Sequence, residues 1–140
     1  PDIAFFGEKD LQQLIIIKYI SKDFDLKIMS VPTVREKNGI ALSSRNKNLT
    51  KDSFKSATII FESLCYCRDH INKYDIVTLK NKVKKLFESS KLNLEYLEFV
   101  SMKTMHPVDV ICDNLAICIA ANIENIRLID NIIINAEETN

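Results

Sequence analysis

The sequence predicts an α/β chain. A β-α-β crossover from a doubly wound parallel sheet is expected over residues 1–34, and a small α+β domain of two helices and an antiparallel three-stranded sheet over residues 35–140. Three observations carry this. The chain opens with an apolar run, a glycine, a helical pattern and a second apolar run. Two stretches with helical periodicity follow a polar loop. Three runs rich in β-formers come last.

Ile3 to Phe6 is short, apolar and closed by Gly7, which predicts a buried parallel strand. Asp10 begins a helical pattern in which Leu11, Leu14, Ile15, Ile17 and Tyr19 point inward, ending near Asp23. Leu26 to Val31 predicts the second strand, stopped by Pro32. Such a crossover is right-handed. Pro32 to Asn48 has no apolar period and contains Asn38-Gly39, so it reads as a functional loop between two domains. Thr50 is the expected N-cap of a helix reaching about Asn72, with Phe54, Ala57, Phe61, Leu64 and Cys65 inward. Asp75 caps a second helix with Leu79, Val83, Leu86 and Phe87 inward and lysines on the other face. Leu94 to Met102, Leu115 to Ala121 and Ile126 to Ile134 are the strands, with Asp130-Asn131 expected to interrupt the third.

Composition narrows the function classes. Apolar residues make up 46 % and charged residues 27 % of 140, a globular balance. Nineteen basic and nineteen acidic residues cancel, which argues against a nucleic-acid footprint or an anionic-membrane binder. No apolar run approaches the roughly 20 residues of a membrane span. Cys65, Cys67, Cys112 and Cys118 lack zinc spacing, and His70 and His106 are isolated from them, so reduced thiols in a cytoplasmic protein are expected and no metal ligand set is. A chain that opens at Pro1 inside a core strand is expected to be a piece of a longer protein.

Two polar clusters point to a nucleotide. Gly7-Glu8-Lys9-Asp10 sits at a strand–helix junction, where backbone N–H groups and the helix dipole favour anions. Lys9 adds a mobile charge. Asp10 can cap the helix, accept from a ribose hydroxyl or hold a magnesium-bound water. Gln13, four residues before Ile17, is expected on the more buried side, where its amide needs partners. The second cluster is Asn38-Gly39-Ile40-Ala41-Leu42-Ser43-Ser44-Arg45-Asn46. Two hydroxyls, a guanidinium fork and an amide on a glycine-started loop suit polyphosphate oxygens. A plain surface turn, a surface lysine and a simple helix cap are the competing readings.

Phe6-Gly7-Glu8-Lys9-Asp10 with Gln12-Gln13, then Val31-Pro32-Thr33-Val34-Arg35, then Gly39 to Asn46 with Leu49, then Arg127-Leu128-Ile129-Asp130-Asn131 together resemble the pantothenate synthetase (pantoate–β-alanine ligase) family, in its C-terminal half. The resemblance implies a Rossmann-type nucleotide-binding domain followed by a small domain over the site. It implies ATP, magnesium (Mg2+), pantoate and β-alanine as cofactor and substrates, pantoyl adenylate as intermediate, and AMP and pyrophosphate as products. It assigns Gly7, Glu8, Lys9, Asp10, Val34, Leu42, Ser43, Ser44 and Arg45 to ATP, with Lys9, Ser43 and Arg45 stabilising charge, and Gln13 to pantoate. A cytoplasmic homodimer is implied for the full-length form, with no nucleic-acid or membrane partner. The family's histidine loop is missing from these residues. Glu124 stands where a glycine is usual, which is expected to alter a turn far from the chemistry. Arg127 and Asp130 are expected to form a structural ion pair. Two other readings stand beside this one: a non-catalytic nucleotide-binding module, and a fragment of another adenylate-forming nucleotidyltransferase.

Overall fold

A computed structural model describes residues 1–134. The chain divides into two compact units, Pro1–Val34 and a second that begins at Arg35.

In the first unit, strand β1 (Ile3–Gly7) runs parallel to β2 (Lys27–Val31), with Phe5 opposite Met29 and Gly7 opposite Val31. A single 3-10 turn (Glu8–Asp10) leads into helix α1 (Leu11–Ile20), which makes the crossover. Leu11 and Leu14 are buried, and Ile15 and Ile17 are half-buried. Tyr19 departs from the expected inward face: it is 73 % exposed. The helix is apolar nearly all round, so periodicity could not choose its inner side. β1 is not a buried strand either. It alternates between exposed and half-buried residues, with Phe5 67 % exposed. A two-stranded sheet with one covering helix cannot cover both faces of its strands.

The second unit holds α2 (Lys51–Ser56), α3 (Thr58–His70) and α4 (Ile76–Glu88), then β3 (Asn93–Ser101), β4 (Leu115–Ile123) and β5 (Ile126–Ile134). The sheet is antiparallel in the order β3-β4-β5. The first expected helix is divided at Ala57, whose carbonyl accepts from Ile60 N–H in a tightened i→i+3 bond (3.2 Å). No glycine or proline marks that break, which is why spacing alone shows one helix. Thr50 caps α2 by accepting from Ser53 N–H, and Asp75 caps α4 by accepting from Thr78 N–H. Leu86 is exposed rather than inward. Leu79, Val83 and Phe87 already fill the inner face of α4.

α3 packs against β4 and β5, and α4 against β3. The core between these layers is mostly aliphatic, with Leu64, Ile71, Leu79, Leu115, Ile117 and Ile119 fully buried beside the aromatic Phe99. Each such side chain is worth about 1.5–3 kcal/mol when buried. Asp130 and Asn131 do not interrupt β5: they pair with Ile119 and Cys118 in an unbroken ladder. β4 and β5 are joined by Glu124-Asn125, both at positive φ (49° and 64°), the backbone of a two-residue type I′ hairpin. Among the described residues, no helix is long and apolar enough to cross a membrane.

All four cysteines are free. Burial pushes the Cys67 thiol up to about 12 and the Cys118 thiol to about 11. Native-state alkylation near neutral pH is therefore expected to label exposed Cys112 first. Cys67 and Cys118 should react only as denaturant unfolds the unit, which mass spectrometry of the labelled peptides checks.

Candidate functional site

The first donor cluster lies where β1 ends. Gly7 is extended (φ −72°, ψ 140°), and a Cβ added to it would meet nothing within 4 Å. Neither sterics nor a left-handed backbone explains the glycine, which leaves a bare backbone surface open to close approach. Asp10 occupies the N-cap position of α1, yet its side chain makes no capping hydrogen bond. The simple cap reading of Asp10 therefore fails. Lys9 is half-buried and sits in the turn between them. Gln13 is exposed, not turned inward as its spacing suggested, because Leu11 and Leu14 take the buried side of the first turn. Val34 is also exposed.

The second cluster lies in the other unit, so the structure does not gather all the predicted residues into one element. Its base is a tight turn. Glu36 N–H donates to Ile40 O (2.8 Å) and Gly39 N–H to Glu36 O (2.9 Å), and Arg35 and Ala41 form an antiparallel bridge. Gly39 has φ +89°, and a Cβ there would lie 2.3 Å from Phe61 Cδ1. Ile40 and Ala41 are buried and anchor the loop, while Leu42 is exposed. Ser43 then caps a 3-10 turn (Ser44–Asn48), its hydroxyl accepting from Arg45 N–H (3.3 Å). Ser44 and Arg45 are exposed. Arg45 Nη1 donates to Arg127 O on β5 (3.3 Å), and Asn46 Nδ2 donates to Ala41 O (3.1 Å).

Two anchors for this loop were not legible in the sequence. Arg35 grips Asp130 with both arms, Nη1 to Oδ2 at 2.6 Å and Nη2 to Oδ1 at 3.0 Å. Arg127 is not the partner of Asp130. It pairs with Glu95 at 2.7 Å on the surface, since neighbouring odd and even positions of a strand face opposite sides of the sheet. The second anchor is Glu124. Its carboxylate accepts from Ser53 Oγ (2.6 Å) and Thr50 Oγ1 (3.2 Å), tying the hairpin tip to the start of α2. The residue expected to lie far from the chemistry is thus bonded to the helix that follows the donor loop. A separation of 71 residues between Glu124 and Ser53 left no local signal of it.

Comparison with known proteins identifies the family. The sequence profile described as pantoate-beta-alanine ligase matches residues 1–133. The chain belongs to the pantoate–β-alanine ligase family. A pantothenate synthetase of Caldicellulosiruptor saccharolyticus is 39 % identical over 139 residues, which is 96 % of this chain and 50 % of that protein. The pantothenate synthetase of Thermus thermophilus superposes with a TM-score of 0.87 at 31 % identity, over 94 % of this chain and 49 % of that one. A pantoate-beta-alanine ligase from Francisella tularensis, solved with beta-gamma ATP and beta-alanine, matches with a TM-score of 0.63 at 33 % identity, over 95 % of this chain and 44 % of that one. The chain spans about half the length of the family members it matches.

Gly39→Ala is expected to destabilise the second unit by about 2 kcal/mol in equilibrium unfolding, from left-handed backbone strain and the clash with Phe61. Glu124 gives a pH test. The Ser53 hydroxyl, and then that of Thr50, hold its carboxyl below the usual carboxylate range. A lowered pKa contributes stability that is present above the unfolded value and is lost as pH falls through the folded one. Glu124→Gln should therefore lower Tm at neutral pH. The difference from wild type should shrink as pH drops through the carboxylate range.

Proposed function

We propose that this chain forms part of an ATP-dependent ligase that condenses pantoate with β-alanine to pantothenate through a pantoyl adenylate. A carboxylate oxygen of pantoate attacks the α-phosphorus of ATP, and the bond to the leaving pyrophosphate breaks. The amine of β-alanine then attacks the acyl carbon, loses a proton and displaces AMP. Negative charge builds up on the α-phosphate and on pyrophosphate, so preorganised donors are the largest source of rate. Ser43, Ser44 and Arg45 supply hydroxyls and a guanidinium on one short turn. Lys9 supplies a further charge, and Gly7 a backbone that phosphate oxygens can approach. Gln13 binds pantoate and Val34 contacts the adenosine. Positioning supplies much of the rest, and no nucleophile is needed from the protein.

The observation that carries this reading is the Ser43–Arg45 turn. Its core anchors, Ile40 and Ala41, precede the donors, so Ser44 and Arg45 remain exposed. In a family whose profile spans both donor clusters, such a turn supports a phosphate role. Magnesium fits the donor set. No group of three or more acidic, histidine or cysteine side chains that could hold a metal occurs among the described residues. Asp10 offers a carboxylate not spent on capping. One carboxylate with nucleotide phosphates is the usual magnesium arrangement, and the ion would neutralise phosphate charge there. Following the family resemblance, we place the ligase in the cytoplasm as a homodimer in its full-length form.

The test joins this chain to the N-terminal half of the Thermus thermophilus relative and follows single-turnover adenylate formation. Lys9→Ala should slow it about a hundredfold or more, the cost of one lost charge-stabilising donor. A rate within about threefold of wild type would sink that role, given the size of such donors' effects. Gln13→Ala should raise the KM for pantoate and leave that for ATP unchanged. The reverse pattern overturns the assignment.

A further inference from the structure

Arg35 makes four hydrogen bonds through its guanidinium, and the reaction scheme gives it no part. Besides its two bonds to Asp130, it donates through Nη1 to Gly39 O (3.1 Å) and through Nη2 to Asn131 O (3.3 Å). Its guanidinium lies 4.1 Å from the centre of the Phe61 ring. One planar group thus ties together the 36–40 turn, strand β5 and helix α3.

Stability does not account for this arrangement. The Asp130 side chain is 2 % exposed, in mid-strand opposite Ile119, with Leu128 and Ile132 on the same face. An aliphatic residue would fit such a position, and replacing a buried ion pair by well-packed apolar groups is often neutral or favourable. What the pair supplies is geometry. A fork locked onto both carboxylate oxygens fixes direction as well as distance.

The direction fixed is that of the donor loop. Arg35 bridges to Ala41 across the turn, and Leu42, Ser43, Ser44 and Arg45 follow at once. Arg45 returns to β5 at Arg127 O, and Asn46 closes onto Ala41 O. Both ends of the donor segment are therefore referred to one strand, the base through Asp130 and Asn131 and the tip through Arg127.

We propose that Arg35 is a positioning residue for adenylate formation: its two-armed grip on Asp130 over Phe61 sets the place from which Ser43, Ser44 and Arg45 act. The catalytic half of this proposal rests on the ligase reading. The structural half does not.

Arg35→Lys keeps the charge and loses the fork, and Ile117→Val in β4 serves as a control that weakens the core and leaves the fork intact. Hydrogen exchange on this chain tests the structural half. The amides of Gly39, Asn46 and Leu49, all hydrogen-bonded within the loop, should exchange about tenfold faster in Arg35→Lys, as expected for local opening. Those of β4 should keep the wild-type rate. In Ile117→Val the loop and strand amides should change together. Loop exchange that stays at the wild-type rate in Arg35→Lys, or rises only in step with β4, overturns the proposal. In the joined protein, Arg35→Lys should lower the rate of adenylate formation about tenfold with little change in pantoate KM, the pattern of a lost transition-state interaction. The control should keep the wild-type rate. A loosened loop with full adenylate formation overturns the positioning role. A joined wild-type protein that forms no adenylate sinks the ligase reading and the catalytic role with it. The exchange measurement then still decides whether Arg35 holds the loop.

Discussion

The second unit depends on the burial of one face of β4. Leu115, Ile117, Ile119, Ala121 and Ile123 alternate along that strand and join the buried core, and the strand packs against α3. β3 and β5 hydrogen-bond to its two sides, so β4 has no free edge to pair elsewhere. A sheet fixed in this way is stiff, and stiffness is what the donor loop borrows. The long-range hydrogen bonds of Arg35, Arg45, Thr50 and Ser53 end on β5 or on the hairpin that joins it to β4.

The polar ties are of two kinds. The Arg35–Asp130 pair is largely removed from water, so it is directional and would be costly to break from one side alone. The Glu124 staple is at the surface and local to the start of α2. Glu124 accepts a left-handed backbone that a glycine would take at no cost. Its bonds to Ser53 and Thr50 are the compensating gain. This gives a physical reason for a bulky residue on a left-handed backbone that favours glycine.

The first unit has a different character. Its strands are half-covered, and apolar side chains such as Phe5 and Met29 face out. The backbone at Gly7 and the uncapped position at Asp10 are set by the β-α-β path. Local chain geometry thus builds one donor cluster, and tertiary ties build the other.

The elements themselves were written locally. Turn chemistry at Gly7 and Asn38-Gly39, caps at Thr50 and Asp75, and β-rich runs near the end are nearest-neighbour signals, so the sequence alone determined where helices and strands form and where donors cluster. Motif spacing did the same for the family. Facing and pairing were decided by tertiary structure. An evenly apolar α1 does not say which side is buried, so Tyr19 and Gln13 were misplaced. Ala57 breaks a helix through a backbone tightening that no residue type announces. Asp130 reads as a strand breaker until Arg35, 95 residues away, supplies the partner that lets a carboxylate sit inside a sheet. Local sequence fixes torsion preferences within a few residues. A buried charge is settled only when the fold brings its counter-charge to it.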